Sequence, residues 1–136
     1  MEFNDLNKAE RAALDDGLSL ASRLVNAPRP LRSSHVQELY DALIANDQTH
    51  PEVEVALGLS FGELIAETTN FEWVRISDEY GEETCLSPKD IQLICSPISM
   101  IQKRLSAGEN IDIDSLVLDT RKVVLEQVEK ADYKRR

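Results

Sequence analysis

The chain reads as an α+β domain: about five helices packed on a small three-stranded antiparallel meander, in the order ααα–βββ–αα. Three observations predict it. Apolar residues recur at helical spacing up to about Thr68, the period drops to two between Phe71 and Cys95, and helical spacing returns after Pro97. Helices segregated from a run of strands define the α+β class. The 136 residues are expected to form a single domain, with a helical hairpin over 1–48 and a core α+β unit over 49–136.

The first helix is expected over residues 5–25, with Leu6, Ala9, Ala13, Leu20 and Leu24 near one face and Gly17 as a weak spot. Pro28 and Pro30 stop it. A second helix begins at Ser34, with Gln37 completing a capping box, and carries Val36, Leu39, Tyr40, Leu43 and Ile44 at i, i+3, i+4, i+7 spacing. The third starts at Thr49 with Pro51 in its first turn and Glu52 as box partner. Its wide apolar surface, through Leu57, Phe61 and Ile65, marks it as the most buried helix. Strands follow over residues 71–77, 84–86 and 91–95, rich in β-branched and aromatic side chains. Turns fall at Tyr80-Gly81-Glu82 and Ser87-Pro88-Lys89-Asp90. Ser96 and Pro97 open a fourth helix that Gly108 ends, and Asp112 or Asp114 caps a fifth. The cations Lys130, Lys134, Arg135 and Arg136 sit at its C-terminal end, where the helix dipole favours them.

Composition narrows the function classes. Twenty-five acidic against 15 basic residues give a net charge of −10, which repels phosphate and argues against nucleic-acid and anionic-membrane binding. No apolar run reaches the roughly 18 residues that span a bilayer, and the first residues lack the basic and apolar regions of a secretory signal. Two cysteines, Cys85 and Cys95, are too few for a disulfide scaffold and read as small buried hydrophobes in a reducing cytoplasm. The acidity is uneven: residues 49–96 hold ten acids and two bases, so the third helix and the meander are where a basic partner would dock.

Several chemical motifs have a structural counterpart that fits better. Gly58-Leu59-Ser60-Phe61-Gly62 matches the G-x-S-x-G elbow of serine hydrolases. The only histidines, His35 and His50, precede the serine, and nothing else supplies its base. Two glycines four apart on one helix face instead permit a close approach by another element. The turn Asp78-Glu79-Tyr80-Gly81-Glu82-Glu83 gathers four carboxylates, but its glycine sits at the wrong offset for a calcium loop. Asp112-Ile113-Asp114 resembles a D-x-D metal motif and sits where the last helix must be capped. No catalytic set, metal site or cofactor site emerges. Trp73 is expected to anchor the core beneath the helices, and becomes a partner hot spot if half exposed.

From Pro51 onward, Gly58-x-x-x-Gly62-Glu63, Trp73-Val74, Asp78-Glu79-Tyr80-Gly81-Glu82, Pro97, Lys103-Arg104 with Gly108-Glu109, and residues 112–116 resemble a bacterial family, domain of unknown function 3806. The likeness runs over roughly residues 51–130 and sets the two N-terminal helices apart as an addition. It implies a small cytoplasmic bacterial α+β domain and brings no activity, cofactor or catalytic residue.

The leading expectation is a non-catalytic domain that binds a basic protein, as an inhibitor or immunity-type partner, through Glu72, Trp73, Asp78, Glu79, Tyr80, Glu82 and Glu83. The alternative is a small carboxylate-based or metal-assisted hydrolase, which requires Asp78 or Glu63 to meet another acid in a pocket. A third is a self-assembling domain that buries an apolar patch.

Overall fold

A computed structural model describes residues 1–46, 50–89 and 91–130. Its five helices and three-stranded antiparallel sheet are of the α+β class, with one change in element order: a strand comes first. That strand, β1 (Glu2–Asp5), pairs antiparallel with β2 (Phe71–Asp78), which pairs in turn with β3 (Gly81–Pro88). The sheet order is β1-β2-β3, so β2 is central. Residues 91–95, expected as the third strand, hold only isolated bridge positions at Ile91 and Cys95, with Leu86 and Cys95 exchanging two backbone hydrogen bonds of 2.9 and 2.8 Å. The physical reason lies upstream. Ser87 Oγ donates to the Ile91 carbonyl, and Leu93 N–H donates to the same carbonyl, so the chain turns tightly where a strand would run straight.

Helix α1 (Lys8–Val25) begins three residues later than expected, because Asn7 and Glu10 form a reciprocal capping box, each bond 2.8 Å. It ends at Asn26, which adopts the left-handed conformation with φ 53°. Helix α2 (Ser33–Ala45) starts at Ser33, with Arg32 as N-cap and His35 Nδ1 accepting from the Arg32 N–H. Gln37, expected to close a box on Ser34, works elsewhere: it donates to the Ile111 carbonyl and accepts from the Ile113 N–H at 2.7 Å. Tyr40, one turn on, donates to the Glu109 carbonyl. Both side chains fasten α2 to the segment that leads into α5 (Ile113–Glu129), whose N-cap is Asp112, accepting from Ser115 N–H.

Helix α3 (Pro51–Ala66) carries more buried residues than any other helix, among them Leu57, Phe61 and Ile65. It packs against α1 and α4 (Pro97–Ser106). The two glycines of the G-x-S-x-G sequence explain how. A methyl group built on Gly58 would stand 2.6 Å from Ile98 Cα, and one on Gly62 would overlap the Trp73 indole and Pro97. The close approach expected of them is therefore between α3, the first turn of α4 and β2. Strand alternation then divides the core. Phe71 and Trp73 join the main cluster with α2, α3 and α5, while Val74 and Ile76 join Cys85, Phe3 and Ile94 in a smaller one. Expectations resting on Thr49, Asp90, Lys134, Arg135 and Arg136 lie outside the described residues.

Candidate functional site

The β2–β3 hairpin closes through a two-residue loop, Glu79-Tyr80, between the paired Asp78 and Gly81. Asp78 Oδ1 accepts from the Tyr80 N–H at 2.8 Å, an Asx turn, and Gly81 takes φ +125°, a conformation that side chains resist. This geometry turns Tyr80 outward: it is 90% exposed, the most exposed of the large hydrophobic residues described. Asp78, Glu79, Glu82 and Glu83 are exposed around it. Register adds a carboxylate that sequence reasoning missed. Glu2 on β1 stands opposite Ser77, which stands opposite Glu82, so these side chains share one face of the sheet. Only strand pairing brings residue 2 to this end of the sheet, and four residues are too few for alternation to announce a strand.

Within the cluster the contacts are light. Ser77 Oγ donates to Glu82 at the long distance of 3.5 Å, and Ser99 Oγ donates to Glu83 at 3.0 Å. Neither ion pair among the described residues involves these carboxylates: they join Arg29 to Asp15 and Arg75 to Glu10. The Glu10 carboxylate serves twice, capping α1 and holding Arg75 of β2.

The remaining expected site residues lie elsewhere. Glu72 and Trp73 sit near the start of β2, five or six residues from Asp78 and so about 15–20 Å along the strand. Trp73 is half-buried, with its indole against Gly62, and its Nε1 is buried with no hydrogen-bond partner among the described residues. It packs against the main core cluster while staying partly exposed. The acids at the C-terminal end of α3 do not join the hairpin tip either. Glu63 lines a cleft with Arg29, and Glu67 lines a groove with Arg32 and His35. The negative charge of residues 49–96 is therefore divided between the tip and a surface that the arginines of the α1–α2 loop partly compensate.

The chemistry asked of other motifs finds no assembled site. Ser60 is buried inside α3 and donates to the Ala56 carbonyl, the ordinary i−4 bond of a helical serine. Asp78 does not line the cleft that holds Glu63. Among the described residues, no three His, Cys, Asp or Glu side chains converge on a point that could hold a metal ion. Cys85 and Cys95 are buried free thiols in different core clusters, and burial pushes both up to about 11. No described helix is long and apolar enough to cross a membrane.

Fold and surface together define a small α+β domain with an exposed acidic hairpin and no assembled catalytic set among its described residues. The chain belongs to the family described as Domain of unknown function (DUF3806), which matches residues 33–116. The match takes in α2, which the sequence resemblance had set aside as part of an addition, and stops at the first turn of α5. No curated protein and no solved structure gives a significant match.

Proposed function

We propose that the protein is a non-catalytic binding domain of the bacterial cytoplasm, and that the tip of the β2–β3 hairpin docks a basic partner protein. One observation carries this reading: Tyr80 projects into solvent from a hairpin end that also exposes Asp78, Glu79, Glu82 and Glu83, with Glu2 on the same sheet face as Glu82, and none of these acids is in an ion pair with a described residue. An exposed aromatic ring supplies the apolar contact of a hot spot, and the carboxylates around it supply a field that speeds encounter with a cationic surface. The hairpin is braced by the Asx turn and by β1, so little ordering cost accompanies binding. An inhibitor or immunity-type role suits such a surface, because the tip can occlude a positively charged site on the partner.

The test is affinity capture from the native host with the wild-type chain and with a variant carrying Glu79→Gln, Glu82→Gln and Glu83→Gln. The wild type should retain a stoichiometric basic protein that the variant loses. Calorimetric titration of that protein at two salt concentrations should show affinity falling as salt rises. Equal recovery by both chains, or salt-independent binding, would count decisively against the tip.

A further inference from the structure

A second feature lies away from the hairpin, in a cleft of about 350 Å³ between α1, the loop joining α1 to α2, and α3. Its lining is Leu18, Pro30 and Leu31 as apolar walls, with Arg29, Ser60 and Glu63 as polar groups. The size falls at the small end of ordinary ligand pockets, and an apolar wall with a few convergent polar groups is their usual composition.

The charges in this cleft are opposite and unpaired with each other. Arg29 Nη1 donates to Asp15 Oδ1 at 2.6 Å and to Ser19 Oγ at 3.2 Å, which pins the guanidinium on the α1 side. Those two bonds leave three of the five guanidinium N–H groups, on Nε and Nη2, without a partner among the described residues. Glu63 is half-buried on the α3 side, and its carboxylate likewise meets no hydrogen-bond or ion-pair partner there. Arg29 is thus paired with Asp15 and not with Glu63. Ser60 Oγ has spent its hydrogen on the Ala56 carbonyl and retains only acceptor capacity.

We propose that this cleft binds a zwitterionic small molecule of the α-amino-acid class, its carboxylate on Arg29, its ammonium on Glu63 and its side chain against Leu18 and Leu31. A ligand with a single negative head meets the Glu63 carboxylate, and one with a single positive head meets the guanidinium. Only a molecule bearing both satisfies both groups. The assignment also gives Glu63 a role that packing does not. In the Gly58-x-x-x-Gly62-Glu63 motif the glycines admit Ile98 and Trp73, whereas Glu63 lines the cleft. This site is independent of the hairpin tip, and its test is separate from that of the partner reading.

The experiment is an NMR titration of the full chain at neutral pH with L-alanine, L-leucine and L-methionine. Two single-headed matches to leucine, 3-methylbutylamine and 4-methylpentanoate, serve as comparators. At least one amino acid should produce saturable shifts of the backbone amides of residues 29–31 and 60–63, with each single-headed compound at least about tenfold weaker. Glu63→Gln, isosteric and uncharged, should weaken binding by a similar factor while leaving the circular dichroism spectrum unchanged. Arg29→Lys, which keeps charge but loses the fork, should do the same and guards against a loop disturbed by Arg29→Gln. The proposal is overturned if no amino acid gives saturable shifts in these residues, if a single-headed compound binds as well, or if the Glu63 variant binds like the wild type.

Discussion

At the level of single residues, the glycines show how one residue type answers different demands. Gly58 faces backbone, the Cα of Ile98, which cannot turn aside, whereas the nearest obstacle at Gly17 is a terminal methyl of Leu59. Gly58→Ala is therefore expected to destabilise by about 1–3 kcal/mol despite the better helix propensity of alanine. Gly17→Ala should fall within about 1 kcal/mol of wild type, because a leucine rotamer shift and the propensity gain offset one another. Urea denaturation of the two variants side by side decides it, and equal losses would contradict the packing account. The thiols give a second expectation. Burial raises Cys85 and Cys95 from 9.0 to about 11. In the unfolded chain they ionise near the lower value, so their contribution to stability is complete below pH 9 and is lost as pH rises through 11. Stability in reductant should fall across that window by about 2–3 kcal/mol per thiol, and a Cys85→Ala, Cys95→Ala chain should fall less steeply. A wild-type profile as flat as the variant's would refute the burial account.

At the level of elements, the side chains that hold one segment to another decide more than local propensity does. Gln37 is half-buried on α2 and supplies an acceptor to Ile113 N–H, one of the orphan donors at the start of α5, and a donor to the Ile111 carbonyl. Gln37→Ala should cost about 2 kcal/mol, more than the roughly 1 kcal/mol expected for the cap substitution Asp112→Ala, because it leaves two partly buried backbone groups without partners. Chemical denaturation ranks the two, and the reverse order would show that the cap outweighs the tie. Apolar periodicity found the five helices and alternation found β2, whereas β3 was legible only at residues 84–86 and extends over Gly81–Pro88, into residues expected as turns. The other strand was misplaced. Residues 91–95 have the composition of a strand, but the Ser87 and Leu93 bonds to the Ile91 carbonyl bend them. Residues 2–5 have hardly any pattern and become β1 because the free edge of β2 offers a ladder. Deleting residues 1–5 should therefore expose the edge of β2 and lower the denaturation midpoint, with increased aggregation seen by light scattering.

For the whole molecule, charge is a matter of arrangement and not of count. The acids of residues 49–96 read along the chain as one block, but the fold sends Glu63 and Glu67 toward the arginines of the α1–α2 loop and leaves Asp78, Glu79, Glu82 and Glu83 at the tip with Glu2. If the tip serves recognition and not folding, neutralising Glu79, Glu82 and Glu83 should leave stability unchanged or slightly raised at low salt, since like charges there repel. A loss of stability in urea would assign these carboxylates a structural role.

Composition and spacing were sufficient for the α+β class, the five helices, the hairpin turn and the glycine-mediated packing of α3, because each rests on local periodicity or on one residue's conformational range. Which strand completes the sheet, which acids stand together and what lines the cleft at Arg29 and Glu63 depend on residues tens of positions apart meeting in space. Strand register and helix docking set those meetings, and no local pattern encodes them.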